Sequence, residues 1–530
     1  MEKKLRILLV EPDYRRNSRS IRERIKKDNS SKRRSDESLW YPPLGLMKLS
    51  TFHNMRGDEV HFFYGCIPER DLFNISDSWD RIYITTLFTF QWGKTIETIN
   101  YYKNLVCGDT SKIFVGGIMA SLLPDKLYEA TGIYPIKGVI RSPEQIDLPG
   151  TENIDLLPLD YDDDVVDNNL YAINDTYYAY TTRGCENACP WCGVPIIEPG
   201  GVYYIDIKDM IESMRIKYGD KPKLKLMDNN VLASPDLEKI VEDLVKLGYG
   251  RHMATNIDPP SERVIDFNQG LDSSFLTEEN MKLLAELNVK PMRIAFDRIG
   301  EKGEYLRALR LAKKYGVRVF SNYMLYNYQD TPKDLYQRLS ININLNKRWR
   351  NKHNRPTASI YSYPMRYAPI DSTDSPTAIS QENSICVPTK LSSEQNSTYR
   401  GVFWTKRFVR NIEIMKGAAY GSVSPTPSLA RRTLGETFKE FVANLYMPEE
   451  LLRYRNRYER KVYKFEPARE PGTGAIEDFR DFIFRLLRAK GKRFAIFHDV
   501  VSTNSKRKIR EFLPQCKDNE MKKWLMYYLL

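Results

Sequence analysis

Twice along this chain, apolar runs of strand length alternate with stretches whose apolar residues recur at helical spacing, and that alternation limits the fold more than any other feature. In the first series the runs "RILLVEP", "EVHFFYG", "RIYITTLF" and "KIFVGG" are interleaved with "PPLGLMKLSTFHNMRG" and "KTIETINYYKNL", and "PDKLYEATG" follows the last. Parallel strands need a crossover, usually a helix, so this order predicts a Rossmann-like, open, mostly parallel α/β sheet over residues 1–150. An acidic, proline-containing stretch, "TENIDLLPLDYDDDVVDNN", reads as a linker within 151–176.

In the second series each strand candidate ends in polar residues that a buried core would not choose. These are "YYAYTTRGC", "LKLKLMDNN", "VIDFNQGLD", "MRIAFDR", "VRVFSNYMLYN" and "SIYSYPMRY", separated by amphipathic stretches such as "DLEKIVEDLVKLGYG", "TEENMKLLAELNV" and "YLRALRLAKKYG". Six such units over 177–375 predict a barrel or partial (β/α)6 barrel whose C-terminal rim forms the active site. The connector "DSTDSPTAISQENS" then leads into a mainly helical region, 376–530, and no repeat of solenoid period is present.

A composition of 42% hydrophobic and 12% aromatic residues suits real cores. The longest apolar runs, such as "IFVGGIMASLL", fall short of the roughly 20 residues that cross a bilayer, and the opening "MEKKLRILLVEPDY" has only a strand-length apolar run. A cytoplasmic protein with no membrane partner is expected. The formal charge of +12 gathers in Arg15–Arg34, Lys347–Arg355 and Arg453–Lys464. Such runs attract phosphate-rich partners; solvated basic faces are the other reading, and no nucleic-acid motif accompanies them.

Only seven cysteines occur in 530 residues, and three of them fall in "TTRGCENACPWCG". Cys66, Cys107, Cys386 and Cys516 are too scattered for a disulfide framework or a second cluster, which points to a reducing compartment. Cys185, Cys189 and Cys192 have CxxxCxxC spacing after a β-patterned run and Gly184. Three thiolates so spaced can hold three corners of a 4Fe-4S cube and leave the fourth iron without a protein ligand. A zinc reading needs a fourth ligand, and the nearest downstream histidine, His252, lies about sixty residues away. A grouping of merely structural cysteines is the remaining alternative.

With Trp191 directly before the third cysteine, this motif resembles the signature of the radical S-adenosylmethionine (radical SAM) superfamily. The resemblance implies a partial (β/α)6 barrel starting at the cysteine-bearing strand, a 4Fe-4S cluster, and SAM chelated at the open iron. One-electron reduction would then cleave SAM to methionine and a 5′-deoxyadenosyl radical that removes hydrogen from a substrate. It implies a cofactor-binding role for Trp191, and for Asp228, Asn229 and Asn230 in "LMDNN", which stand where second-strand residues, more commonly Gly-Gly-Glu, meet the SAM amino group. Further round the rim, Asn268, Gln269, Asp272, Asp297, Asn322 and Asn327 offer hydrogen bonds to a ribose, an adenine or the substrate; each reads equally well as a turn or cap residue. Tyr361, Tyr363 and Arg366 end the sixth strand candidate, and no catalytic side chain beyond the cluster is singled out.

"YPPLGLMKLSTFHNMRGDEVHFFYG" and "IFVGGIMASLLP" resemble the cobalamin (B12)-binding-type domain that precedes many radical SAM barrels. Where cobalt-ligating members carry Asp-x-His-x-x-Gly, this chain has "EPDYRRNSRS", so a histidine-ligated cobalamin is not expected. Either cobalamin binds without a protein ligand, or the fold persists without the cofactor. His53 and His61 read as structural, and His252, His353 and His498 have no partners at ligand spacing. The whole implies a radical SAM enzyme supplied by a reductant such as flavodoxin or ferredoxin. Its substrate is either nucleic acid, especially RNA, or a peptide or small metabolite. The rival from another class is a non-catalytic, metal-braced nucleic-acid-binding protein.

Overall fold

Ile7, Leu8, Leu9 and Val10 are all buried, which a strand achieves only when both faces of its sheet are covered. They form β1 (Arg6–Glu11) in a computed structural model that describes residues 4–14, 40–67, 79–162, 166–167, 170–256, 259–371, 404–419, 421–455, 473–489 and 491–530. The basic run Arg15–Arg34, most of Arg453–Lys464, Cys386 and the connector leading out of 371 lie outside the described residues. The chain divides into two units. The first comprises 1–271, 277–290 and 368–375, and the second 272–276, 291–367 and 376–530.

In the first unit β1 pairs in parallel with β2 (Glu59–Tyr64) and β3 (Arg81–Thr86), and β3 with β4 (Ile113–Gly117), giving the order β2-β1-β3-β4. This is the open parallel sheet that the first alternation predicts. The helix α1 (Leu44–Arg56) links β1 toward β2 and stops at Gly57, whose φ of +81° is the left-handed conformation that suits glycine. Leu8, Val10, Ile82, Ile84, Ile99, Tyr102, Val115 and Leu127 fill one core of this sheet.

A second parallel sheet in the same unit has the order β5-β8-β9, from β5 (Thr176–Ala179), β8 (Lys223–Leu226) and β9 (Val264–Phe267). Between β5 and β8 the chain makes a short antiparallel ladder of β6 (Thr182–Arg183) with β7 (Tyr203–Tyr204), and the cysteine loop is the excursion between its two arms. The helix at Leu237–Leu244 buries Leu237, Ile240, Val241 and Leu244, the i, i+3, i+4, i+7 stripe visible in "DLEKIVEDLVKLGYG".

The second unit contains the parallel sheet β10-β11-β12, from β10 (Met292–Arg293), β11 (Val319–Tyr326) and β12 (Ser359–Arg366). The crossover helix Pro332–Arg348 starts with Thr331 and Asp334 capping each other and proline in its first turn. Thus the six strand candidates of the second alternation form two three-stranded parallel sheets, one in each unit. From Lys406 onward the described residues are helical, as expected, and bury aromatic side chains such as Phe408, Tyr446, Phe479, Phe482, Phe497 and Trp524. Among the described residues no helix is long and apolar enough to cross a membrane.

Candidate functional site

Gly184 begins the cysteine loop with φ +81°, and a Cβ there would lie 1.8 Å from the carbonyl oxygen of Gly201. Only glycine lets the loop start so close to the returning "EPGGV" turn. Cys185, Cys189 and Cys192 are partly buried and in no disulfide, and Trp191 beside them is also partly buried. The Asn187 N–H donates to the Cys185 sulfur at 3.4 Å, and the Cys192 N–H donates to the Cys189 carbonyl at 3.0 Å. No three Cys, His, Asp or Glu side chains among the described residues converge as a single-ion site.

Beneath the loop runs a buried chain of charges that periodicity and motif spacing do not reveal. Lys48 of α1 donates to Asp155 Oδ1 at 2.6 Å, and Arg183 holds both oxygens of Asp155, Nη2 to Oδ1 at 2.5 Å and Nε to Oδ2 at 3.1 Å. Arg183 Nη1 also donates to Glu198 Oε1 at 2.8 Å, and its guanidinium stands over the Tyr180 ring at 3.5 Å. Burial pushes Lys48 down to about 8 against the pull of Asp155. Burial likewise opposes ionisation of Asp155, yet Lys48 and Arg183 hold its carboxyl below the ordinary value. Two cations alternate with two anions, so each buried charge has an opposite neighbour.

The end of β8 meets this network. Asp228 Oδ1 accepts from the Thr181 and Thr182 hydroxyls, each at 2.9 Å, and from the Thr182 N–H, which ties the second strand to the cysteine-bearing one. Burial lifts the Asp228 carboxyl to about 6 against those donors. Asn229 Nδ2 donates to Glu198 Oε2 at 2.8 Å. Asn230 is 3% exposed, and neither its Oδ1 nor its Nδ2 has a hydrogen-bond partner; Asp228 Oδ2 is also buried and unpaired. Orphaned buried polar atoms are rare in folded proteins and are expected where a ligand supplies the missing partner. The three thiols and this strand end therefore fit a cluster with an amino-acid-bearing cosubstrate.

The other rim residues divide. Asn268 is buried and accepts from the Tyr41 hydroxyl at 2.8 Å, whereas Gln269 is exposed on the turn after β9. Asp272 accepts from the N–H and hydroxyl of Ser274 at 2.9 and 2.7 Å, the local turn bonding that its residue type favours. In the second unit, Asp297 Oδ1 accepts the Leu325 N–H at 2.7 Å, and burial raises its pKa. Asn322 accepts from Asn342 of the crossover helix at 3.1 Å. Asn327 sits at φ +65° in the turn after β11, its N–H donating to Asp330 at 2.8 Å. Arg338, fully buried, donates to Asp330 at 2.7 Å and to the carbonyls of Phe296 and Leu325, each at 2.9 Å. Tyr361 is exposed and Tyr363 is 6.1 Å from Tyr323, ring to ring.

The histidines have packing or surface roles. His53 is buried between Asp58 at 2.7 Å and the Tyr83 hydroxyl at 3.1 Å, and burial pushes it down to about 4. His498 bonds Tyr446 at 2.6 Å, His61 pairs with Glu59 at the surface, and His252 and His353 are exposed. In the first domain the Gly-Gly turn has its own structural cause. Gly117, at φ +103°, would place a Cβ 2.3 Å from the Thr86 carbonyl oxygen, so neighbouring backbone accounts for this glycine without a ligand.

Residues 179–337 match the Radical SAM superfamily. No curated protein matches the chain. Among solved structures, it is similar to the radical S-adenosylmethionine methyltransferase TsrM from Kitasatospora setae, bound to tryptophan substrate and a SAM analog, at 16% identity and a TM-score of 0.48, covering 69% of this chain and 75% of that one. It is also similar to SuiB from Streptococcus suis bound to precursor peptide SuiA, at 10% identity and a TM-score of 0.26, covering 37% of this chain and 39% of that one.

Proposed function

We propose that this radical SAM enzyme, whose radical SAM domain spans 179–337, holds its 4Fe-4S cluster through Cys185, Cys189 and Cys192 and generates a substrate radical by hydrogen abstraction. Such a cluster, once bound and reduced, supplies the electron that splits SAM into methionine and a 5′-deoxyadenosyl radical. The observation that carries the reading is the set of three partly buried thiols, none in a disulfide, on one loop immediately after the first strand of the matched domain. Asn230 and Asp228 offer buried acceptor atoms and an amide donor to the amino-acid end of SAM, and Trp191 lines the loop beside the third thiol. Arg183 and Glu198 neutralise one another beneath it, so the loop receives a cluster without a stranded buried charge. A reductant is required, and flavodoxin or ferredoxin fits that role. No step is routed through cobalamin.

Anaerobic loading with iron and sulfide, reduction, and addition of SAM should yield 5′-deoxyadenosine. Cys185→Ala, Cys189→Ala and Cys192→Ala should each reduce it to background; a yield unchanged by all three would overturn the reading. A nucleic-acid substrate is the second reading, favoured by the +12 charge and by the exposed basic stretch around Lys347–Arg355. It predicts RNA binding that weakens steeply with salt, and binding indifferent to salt would remove it.

A further inference from the structure

Glu198 joins the exit of the cysteine loop to its start. Its backbone N–H donates to the Val194 carbonyl at 2.8 Å, ending the short helix Val194–Ile197 that follows the third cysteine. Its side chain then returns to the start of the loop, where Oε2 accepts the Gly184 N–H at 2.8 Å and Oε1 pairs with Arg183 at 2.8 Å. The same Oε2 accepts from Asn229 at 2.8 Å, next to the orphaned amide of Asn230. One carboxylate, 8% exposed, thus ties the loop's exit, its start and the end of the second strand.

We propose that Glu198 is a positioning residue for the cluster. It presents the three thiols as a closed loop at a fixed place relative to Asn230, and Lys48 and Asp155 continue this brace back to the helix α1 of the first domain. The inference rests on the cluster reading above. Physically, a charged acceptor shared by a guanidinium, a backbone N–H and a side-chain amide is hard to replace by water, because Arg183 and Gly184 are buried, Asn229 is half-buried, and each would lose its partner. Freed of this tie, the loop retains the two-residue ladder of β6 with β7 at its base and the Val202 N–H to Glu186 Oε1 bond at 3.2 Å, but loses the charged acceptor that joins the end of the short helix to Gly184 and Arg183.

The test compares Glu198→Ala and Glu198→Gln with the full-length wild type. In the iron-free proteins, amide exchange across 184–193 should quicken in Glu198→Ala while the parallel sheet β2-β1-β3-β4 exchanges as before. In the loaded proteins, removal of iron by a chelator should be about tenfold faster in Glu198→Ala, the scale seen when partners of metal ligands are lost. The change that SAM makes to the electron paramagnetic resonance signal of the reduced cluster should weaken. Glu198→Gln keeps an acceptor without the charge and should fall between the two; if Glu198→Ala does not fold, it carries the test alone. Chelation and loop exchange equal to wild type in every folded variant would overturn the proposal. A wild type that takes up no iron would instead overturn the cluster reading, and the exchange measurement would still decide the role of Glu198.

Discussion

The polar groups beneath the cysteine loop and those around Arg338 are both buried, yet they are finished to different degrees. Under the loop, the charges Lys48, Asp155, Arg183 and Glu198 alternate in sign and satisfy one another, while the strand end above them leaves both amide atoms of Asn230 and one oxygen of Asp228 without partners. Around Arg338, most strand-end groups are consumed internally, although Arg338 Nε and Asn322 Nδ2 are also buried without partners. Asp297 caps the Leu325 N–H, Asn327 makes a turn with Asp330, and Asp330 takes Arg338 together with Trp404 Nε1 at 3.0 Å. The two sets differ in degree: at the end of β8 both amide atoms of one side chain stay unpaired, whereas around Arg338 most strand-end groups are paired.

If that distinction holds, removing Arg338 should damage stability and leave iron loading intact. Arg338→Ala removes the cation facing the half-buried Asp330, which keeps Trp404 Nε1 and backbone N–H donors, and frees two carbonyls, a loss of up to about 3–5 kcal/mol for breaking a buried pair from one side. Urea unfolding should show it, and the iron bound per folded chain should match wild type. Iron loading that fell in proportion would mean the Arg338 network also serves the cluster, and the contrast would dissolve.

Acidity gives a second and smaller handle. His53, pushed down to about 4 from 6.5, stays neutral in the fold while the unfolded chain takes up a proton, so its contribution is complete above about 6.5 and is lost as pH falls toward 4. Asp330, raised from 3.8 to about 6, binds its proton more tightly when folded, so its contribution falls as pH rises through that window; Asp228 in the first unit acts in the same direction. Each is worth on the order of 3 kcal/mol at most. His53→Gln should remove the loss on acidification, and Asp330→Asn should make stability between pH 4 and pH 6 rise more steeply with pH. A flat response in either variant's difference from wild type would show that its burial is not what sets its titration.

Much of this was legible in the residue order. The first alternation gives an open parallel sheet, the second gives six strands, and CxxxCxxC after Gly184 marks the loop, because a period of two, a period near four and a tight cysteine spacing are all local signals. The roles of Glu198, Asp155 and Lys48 are not local. Lys48 meets Asp155 across 107 positions and Glu198 meets Asn229 across 31, so only the fold brings them together. The sequence also could not separate Asn230 from Asn322 or Asn327, since a turn, a buried amide bonded across elements and a buried amide with no partner use the same residue type. The nearest available sign was Arg183 itself, a charge placed where a strand should turn apolar.

The smallest expected change in stability tests the loop side of the contrast from within its backbone. Gly184→Ala adds a Cβ where the Gly201 carbonyl oxygen lies 1.8 Å away, at a φ of +81° that alanine adopts reluctantly. The turn at 198–202 must move, and a shift there pulls Glu198 away from Gly184 and Arg183. Strain of this kind costs about 1–3 kcal/mol, less than the loss of Arg338. Iron uptake should nonetheless fall much further than it does in Arg338→Ala, because the displaced turn carries Glu198, which ties down the loop that holds the thiols. Equal iron uptake by the two variants, at matched folded fractions, would show that the loop finds its cluster geometry without the preformed turn.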